Sequence, residues 1–140
     1  TNMKTKFAYI LVLLFAMLSA EAQKRLPYVV VQNQNGCDTV YTLPERKAEF
    51  PGGMNAMYAF FTDNMKESAN FISSMSSRRM LLKIMVDDNG SVADSKIMMP
   101  SSTPLDEEVL RVVTLFPDMV PAKYNGRDVC SYLIIPLGYE

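Results

Sequence analysis

Few residues in this chain could do chemistry, and the missing types say as much as those present. Its 140 residues include no histidine, which removes a Ser-His-Asp triad, a Cys-His dyad, His-ligated zinc or haem and an imidazole pH switch. Carboxylate, lysine and tyrosine chemistry remain. Two acidic pairs, Asp87-Asp88 and Glu107-Glu108, invite comparison with glycosidase carboxylates or a calcium site, but adjacent side chains diverge on a strand or a helix. The first pair sits in a turn signal and lacks the ligand ladder of an EF-hand loop. The second suits the positive end of a helix dipole. Met54, Met57, Met98 and Met99 offer thioethers to copper, yet Met54 and Met57 fall on an apolar helix stripe, where methionine fills gaps. Arg78-Arg79 reads as a solvated lead-in to a strand. Cys37 and Cys130 permit a single bridge; in an exported chain a disulfide and two buried thiols are both open, and neither cysteine has the histidine or CxxC partner of a nucleophile. No residue set supports an enzyme, and no metal, cofactor or small-molecule substrate is expected.

The elements that must position any working surface begin with an address. The composition, 49% hydrophobic and 21% charged with a formal charge of −1, excludes a disordered tail and a basic nucleic-acid binder, and the length suits one domain. Met3-Lys4-Thr5-Lys6 is a short positive start, Phe7 to Leu18 an unbroken apolar run, and Ser19-Ala20-Glu21-Ala22 a small-residue end. This is the pattern of a secretory signal peptide over residues 1–22, cut between Ala22 and Gln23. The alternative is a retained anchor, for which the apolar run falls short of the ~20 residues of a spanning helix. Residues 23–44 form an N-terminal segment with room for a β-hairpin, and residues 45–140 form the main domain.

Tyr28 to Gln32 and Thr39 to Leu43 are β-rich runs on either side of Asn33-Gln34-Asn35-Gly36, a hairpin signal. Phe50-Pro51-Gly52-Gly53 ends extended chain and opens a helix whose stripe is Met54, Met57, Tyr58, Phe61 and Met65. Glu67 to Ser77, rich in serine, reads as a connecting loop. Met80 to Val86 alternates as a strand, Asp88-Asn89-Gly90 turns it, and Val92 to Met99 returns with Asp94 and Lys96 on the solvent face. A second helix starts at Thr103-Pro104, with Asp106 in capping-box position, and buries Leu105, Val109, Val112, Val113 and Phe116 before Pro117. A loop with Pro121 and Asn125-Gly126 leads to a last strand, Val129 to Leu137. The economical fold is α+β: a three-stranded antiparallel sheet with two helices on one face, its other face free, with the hairpin as an extra.

Four segments in order carry a resemblance: Ala48-Glu49-Phe50-Pro51-Gly52-Gly53; Val86-Asp87-Asp88-Asn89-Gly90-Ser91-Val92; Leu105 to Val113; and Pro121 to Val129. Together they resemble the TonB C-terminal domain, in the form common in Bacteroidetes, from about Asp38 to Glu140. The resemblance implies a periplasmic module that binds TonB-dependent outer-membrane receptors, in the energy-coupled uptake of siderophores, cobalamin or glycans. It implies that the receptor's TonB box adds a strand beside the last strand, here Val129, Cys130, Ser131, Tyr132, Leu133, Ile134 and Ile135. One departure is Met119, where relatives carry a tryptophan. Another is that Gln23 to Pro44 is short for a periplasm-crossing linker, so a chain with a cleaved signal is expected to act as an adaptor or accessory, without the ExbB-ExbD motor. The alternatives are a self-associating structural protein, such as a dimer, and an energy transducer that keeps its N-terminal anchor.

Overall fold

In the computed structural model, which describes residues 26–66, 80–100 and 103–138 with positions 2, 3, 6 and 73 besides, Asn35 and Gly36 take φ of 54° and 85°. Two successive positive φ values are what a tight hairpin turn demands. They join β1 (Tyr28–Gln34) to β2 (Cys37–Tyr41), antiparallel, with Tyr28 opposite Tyr41. Both strands extend closer to the turn than the apolar runs alone suggested.

Gly52, at φ 84°, turns the chain into α1 (Gly53–Asn64). Met57 and Phe61 are buried on it, and Met65 is buried just past its end. Met54 was expected on this stripe but is 46% exposed; it occupies the first turn, beyond the apolar cluster that Ala56, Met57, Phe60 and Phe61 meet. β3 (Met80–Val86) and β4 (Val92–Met99) pair antiparallel, with irregular register at both ends of the ladder. In α2 (Thr103–Val113) Val109, Val112 and Val113 are buried. This helix stops before Pro117, and Leu115 and Phe116 donate to Val112 and Val113 as the chain tightens into i→i−3 turns.

The expected three-stranded antiparallel sheet is corrected to five strands in the order β1-β2-β7-β3-β4, where β7 is Ser131–Leu137 and β2 runs parallel to it. A second, two-stranded sheet is formed by β5 (Ala122–Tyr124) and β6 (Arg127–Val129). Its turn is Asn125-Gly126, with φ of 49° and 73°, where a loop had been expected. Val129 therefore belongs to β6, and the last strand starts two residues later, after Cys130.

The helices cover one face of the sheet. Met80, Leu82, Ile84, Val86, Ile135 and Leu137 from the strands meet Met57, Phe61, Val109 and Val112 in the main core. Phe116 stacks edge-on against Phe50, Phe60 and Phe61 at centroid distances of 5.0, 5.6 and 5.4 Å, which binds the two helix ends together. The opposite face is not wholly free, because Met85 points there and needs cover. Cys37, Val40 and Cys130 bury it with Ala93 and Tyr132, a disulfide joins Cys37 to Cys130 with Cα atoms 6.2 Å apart, and Asn35 Nδ2 donates to the Ala93 carbonyl at 2.9 Å. The hairpin is thereby drawn across the outer face as far as β4.

Residues 1–22 apart from positions 2, 3 and 6, with the Ala22-Gln23 cut, the Glu67 to Ser77 connection apart from position 73, Arg78-Arg79 and the Thr103 side chain lie outside what the structure describes.

Candidate functional site

β7 is central in strand order, yet among the described residues one of its edges is largely bare. On one side it forms a continuous antiparallel ladder with β3, from Ser131 opposite Val86 to Leu137 opposite Met80. On the other side its pairing with β2 is confined to Tyr41 opposite Ser131. Backbone groups alternate sides along a strand. Tyr41 N–H donates to the Cys130 carbonyl at 2.8 Å, so the groups of Cys130, Tyr132, Ile134 and Pro136 face the β2 side, while those of Ser131, Leu133, Ile135 and Leu137 serve β3. Pro136 fits this parity, since its missing N–H is not needed by the β3 ladder. Its carbonyl accepts from Tyr58 Oη at 3.0 Å.

The bare edge is therefore short and bounded. β2 closes it at Ser131 and the Tyr58-Pro136 bond closes it at the far end, leaving the Tyr132 carbonyl and both backbone groups of Ile134 between them unpaired among the described residues. The Ile134 side chain is 51% exposed. Of the residues expected to flank a partner, Tyr132, Leu133, Ile134 and Ile135 lie along this opening. Val129 pairs with Ala122 in the small sheet, Cys130 is held by β2 and the disulfide, and Ser131 is 1% exposed with a hydroxyl that meets no hydrogen-bond partner among the described residues. Ser131, Leu133 and Ile135 face the helices; Tyr132 and Ile134 face outward. Lys83 Nζ lies 3.7 Å from the Tyr132 ring centroid, a cation–π contact on that outer face.

Sequence reasoning missed Tyr58, which reads only as one more member of the helix stripe. It also missed the way β2 marks off the edge, because a parallel contact of one residue pair leaves no periodic trace.

One member of each acidic pair, Asp87 and Glu108, takes a structural role. Asp87 Oδ1 accepts from Asn89 N–H at 2.9 Å and Ser91 N–H at 2.8 Å, fastening the β3–β4 turn. Gly90 in that turn is buried at φ 94°, and its carbonyl accepts from Met119 N–H at 2.8 Å. Met119, in the slot of the expected tryptophan, is itself buried. Glu108 clamps Arg111 at 2.6 Å and accepts from Lys66 N–H at 2.8 Å, while Arg111 Nη2 donates to the Asn64 carbonyl at 2.6 Å. Together they cap the C-terminal end of α1 from α2. The Arg111 guanidinium, helped by the Lys66 N–H, holds the Glu108 carboxyl down at about 2, against an ordinary 4.5.

Comparison with known proteins gives one finding. Residues 79–140 match the family model described as Gram-negative bacterial TonB protein C-terminal. The match begins just before β3 and takes in β4, α2 and the strands through β7, leaving α1 and the hairpin outside it. No curated protein and no solved structure gives a significant match.

Proposed function

We propose, from the match of residues 79–140 to the family model described as Gram-negative bacterial TonB protein C-terminal, that the protein binds a TonB-dependent outer-membrane receptor by accepting an extended receptor segment as an added strand on β7. The family is one of non-catalytic interaction domains of the Gram-negative periplasm that meet such receptors. One observation supports the strand mode. The Tyr132 carbonyl and the Ile134 N–H and carbonyl face away from β3, beyond the end of β2. An incoming peptide satisfies such groups by main-chain hydrogen bonds, with alternate side chains setting preference. With the signal cut after Ala22, the domain works as an adaptor or accessory in nutrient uptake.

The test is affinity capture from detergent-solubilised outer membrane with the full chain as bait, beside an Ile134→Pro variant. Proline there removes only an outward N–H and leaves the β3 ladder whole, as Pro136 already does two residues on. Capture of a TonB-dependent receptor by the native chain and not by the folded variant is expected. Equal capture by both overturns the strand mode.

Self-association is a second reading, favoured by β1. It is a terminal strand whose consecutive Val29 and Val30 are both exposed, an edge that invites pairing with a second copy. Sedimentation showing a concentration-dependent dimer that Val30→Lys abolishes would support it; a monomer at all concentrations would remove it.

A further inference from the structure

The hairpin of β1 and β2 is apolar on both faces, and only one face is covered among the described residues. Val40 turns inward and is buried beside Met85, so the two-residue period sends Tyr41 and Leu43 outward. Tyr28 stands opposite Tyr41 and Val30 opposite Thr39, on that same outward side. Past the ladder the Thr42 and Leu43 N–H groups both donate to the Pro27 carbonyl, at 2.9 and 3.0 Å, and Leu26 and Leu43 continue the outward row. Leu26, Val30 and Leu43 are 64%, 72% and 62% exposed. Single exposed apolar side chains are ordinary, whereas a continuous group of them marks a contact surface.

Aromatic rings extend this row to the small sheet. Tyr28 packs on Tyr41 with centroids 5.5 Å apart, and Tyr41 on Tyr124 at 4.7 Å. All three tyrosines are half-buried. Tyr124 faces Arg127 across the β5–β6 ladder, so cations begin where the rings end. Arg46 is joined to Lys123 by two backbone hydrogen bonds, and Lys47 follows it. Arg46, Lys47 and Arg127 are exposed and form no ion pair among the described residues; those formed are Arg111–Glu108 and Lys123–Asp128. Lys24 and Arg25 directly precede Leu26 in the sequence. Among the acids of these segments, Asp38 alternates to the other face of β2, Asp128 is held by Lys123 at 2.7 Å, and Glu45 adds one negative charge.

Aliphatic tips, tyrosines with apolar ring bodies and a polar hydroxyl, and a cationic rim are together the features of a surface that rests in the headgroup region of a bilayer. A second copy would bring its own unpaired cations to those of the first, which like-charge repulsion opposes. An anionic lipid surface supplies the opposite charge and receives leucine side chains without a matching shape. We propose that the outward face of this hairpin, with Tyr124 and its rim of Arg46, Lys47 and Arg127, is a docking surface for an anionic phospholipid bilayer. It uses side chains of the hairpin and the small sheet and no backbone group of β7, so it stands apart from the strand-addition reading.

The chain contains no tryptophan, so a single introduced one reports its own surroundings. Leu43→Trp, with Leu26→Trp as a second reporter should the first not fold, is compared in the full chain with Met98→Trp on β4, the terminal strand at the other end of the sheet. Each is mixed with vesicles of phosphatidylglycerol and phosphatidylethanolamine, or of phosphatidylcholine, with and without brominated acyl chains. In the anionic vesicles Leu43→Trp fluorescence should shift to the blue and be quenched by the brominated lipid, while that of Met98→Trp is not. The apolar run Phe7 to Leu18 would draw the chain to either lipid and favour neither reporter, so the contrast between them isolates this face. Adding Arg46→Gln, Lys47→Gln and Arg127→Gln should raise the lipid needed for half-quenching on the order of 100-fold, at roughly fivefold per cation, and added salt should act in the same direction. Equal quenching of the two reporters, or none of either, would overturn the docking surface. Quenching of Leu43→Trp that is as strong on phosphatidylcholine, or untouched by the three glutamines, would overturn the cationic rim and the proposal with it. A blue shift that needs no lipid and grows with protein concentration would assign the face to a second copy and overturn the lipid assignment.

Discussion

Removing the Cys37–Cys130 bridge is the perturbation whose magnitude follows most directly from the chain. The two cysteines are 93 residues apart, and a cross-link closing a loop of that size removes ~4.6 kcal/mol of unfolded-state entropy on the chain-entropy relation. That is a large fraction of the ~5 to 15 kcal/mol by which domains are stable. In the native state the bridge also holds a hairpin whose contact with β7 is one register pair and whose buried cluster is small; a two-stranded hairpin by itself is at best marginal in water. The Cys37→Ala/Cys130→Ala double variant, unfolded in urea beside the oxidised native chain, should therefore lose ~4 to 5 kcal/mol. With a slope near ~1.5 kcal/mol per M its midpoint falls by about 3 M. The slope itself should rise, because the uncrosslinked denatured chain exposes more surface. A loss below ~1 kcal/mol with an unchanged slope would refute the reasoning. It would mean that Val40 and Met85 hold the hairpin by packing, with the cross-link adding nothing.

Gly90→Ala is expected to destabilise by ~2 to 4 kcal/mol in the same assay, since alanine at φ 94° is strained and its Cβ would collide with the Met119 carbonyl; a loss under ~0.5 kcal/mol would show that the β3–β4 turn is free to move away from Met119. The Glu108 carboxyl is held below its ordinary value by Arg111, so its contribution to stability is complete above about 4.5 and is lost as pH falls toward about 2. Glu108→Gln should accordingly flatten the stability–pH curve between those two values, and an acid limb identical to that of the native chain would contradict the pairing.

Much of the architecture was legible from residues that act locally. The Asn35-Gly36 and Asp88-Asn89-Gly90 turns, the valines of α2, and the alternation of Met80, Leu82 and Ile84 each fix conformation within a few residues, and each is found where its pattern put it. The Asn125-Gly126 hairpin carried the same turn signal but is flanked by strands of only three residues, too short to show alternation. The strand order was not legible, because the β2–β7 contact joins residues some ninety positions apart through a disulfide and a four-residue buried cluster. For the candidate site, the strand proposed to bind was named through the family resemblance, and its alternating faces were legible through the two-residue period. Which backbone groups stay unpaired was not. That depends on where β2 stops, on Tyr58 reaching Pro136 and on the parity set by Tyr41. The same parity makes Ile134 the informative proline position, because the N–H of Leu133 is needed by β3.

Amide hydrogen exchange at Ile134 is the most direct measurement of whether β7 accepts a strand. In the free full chain the Ile134 N–H should exchange quickly while those of Leu133 and Ile135, bonded to β3, are protected; with a captured receptor bound, Ile134 should slow by at least ~tenfold and its neighbours change little. An Ile134 amide already protected in the free chain, or one that exchanges as fast with the receptor bound, would contradict strand addition at this edge.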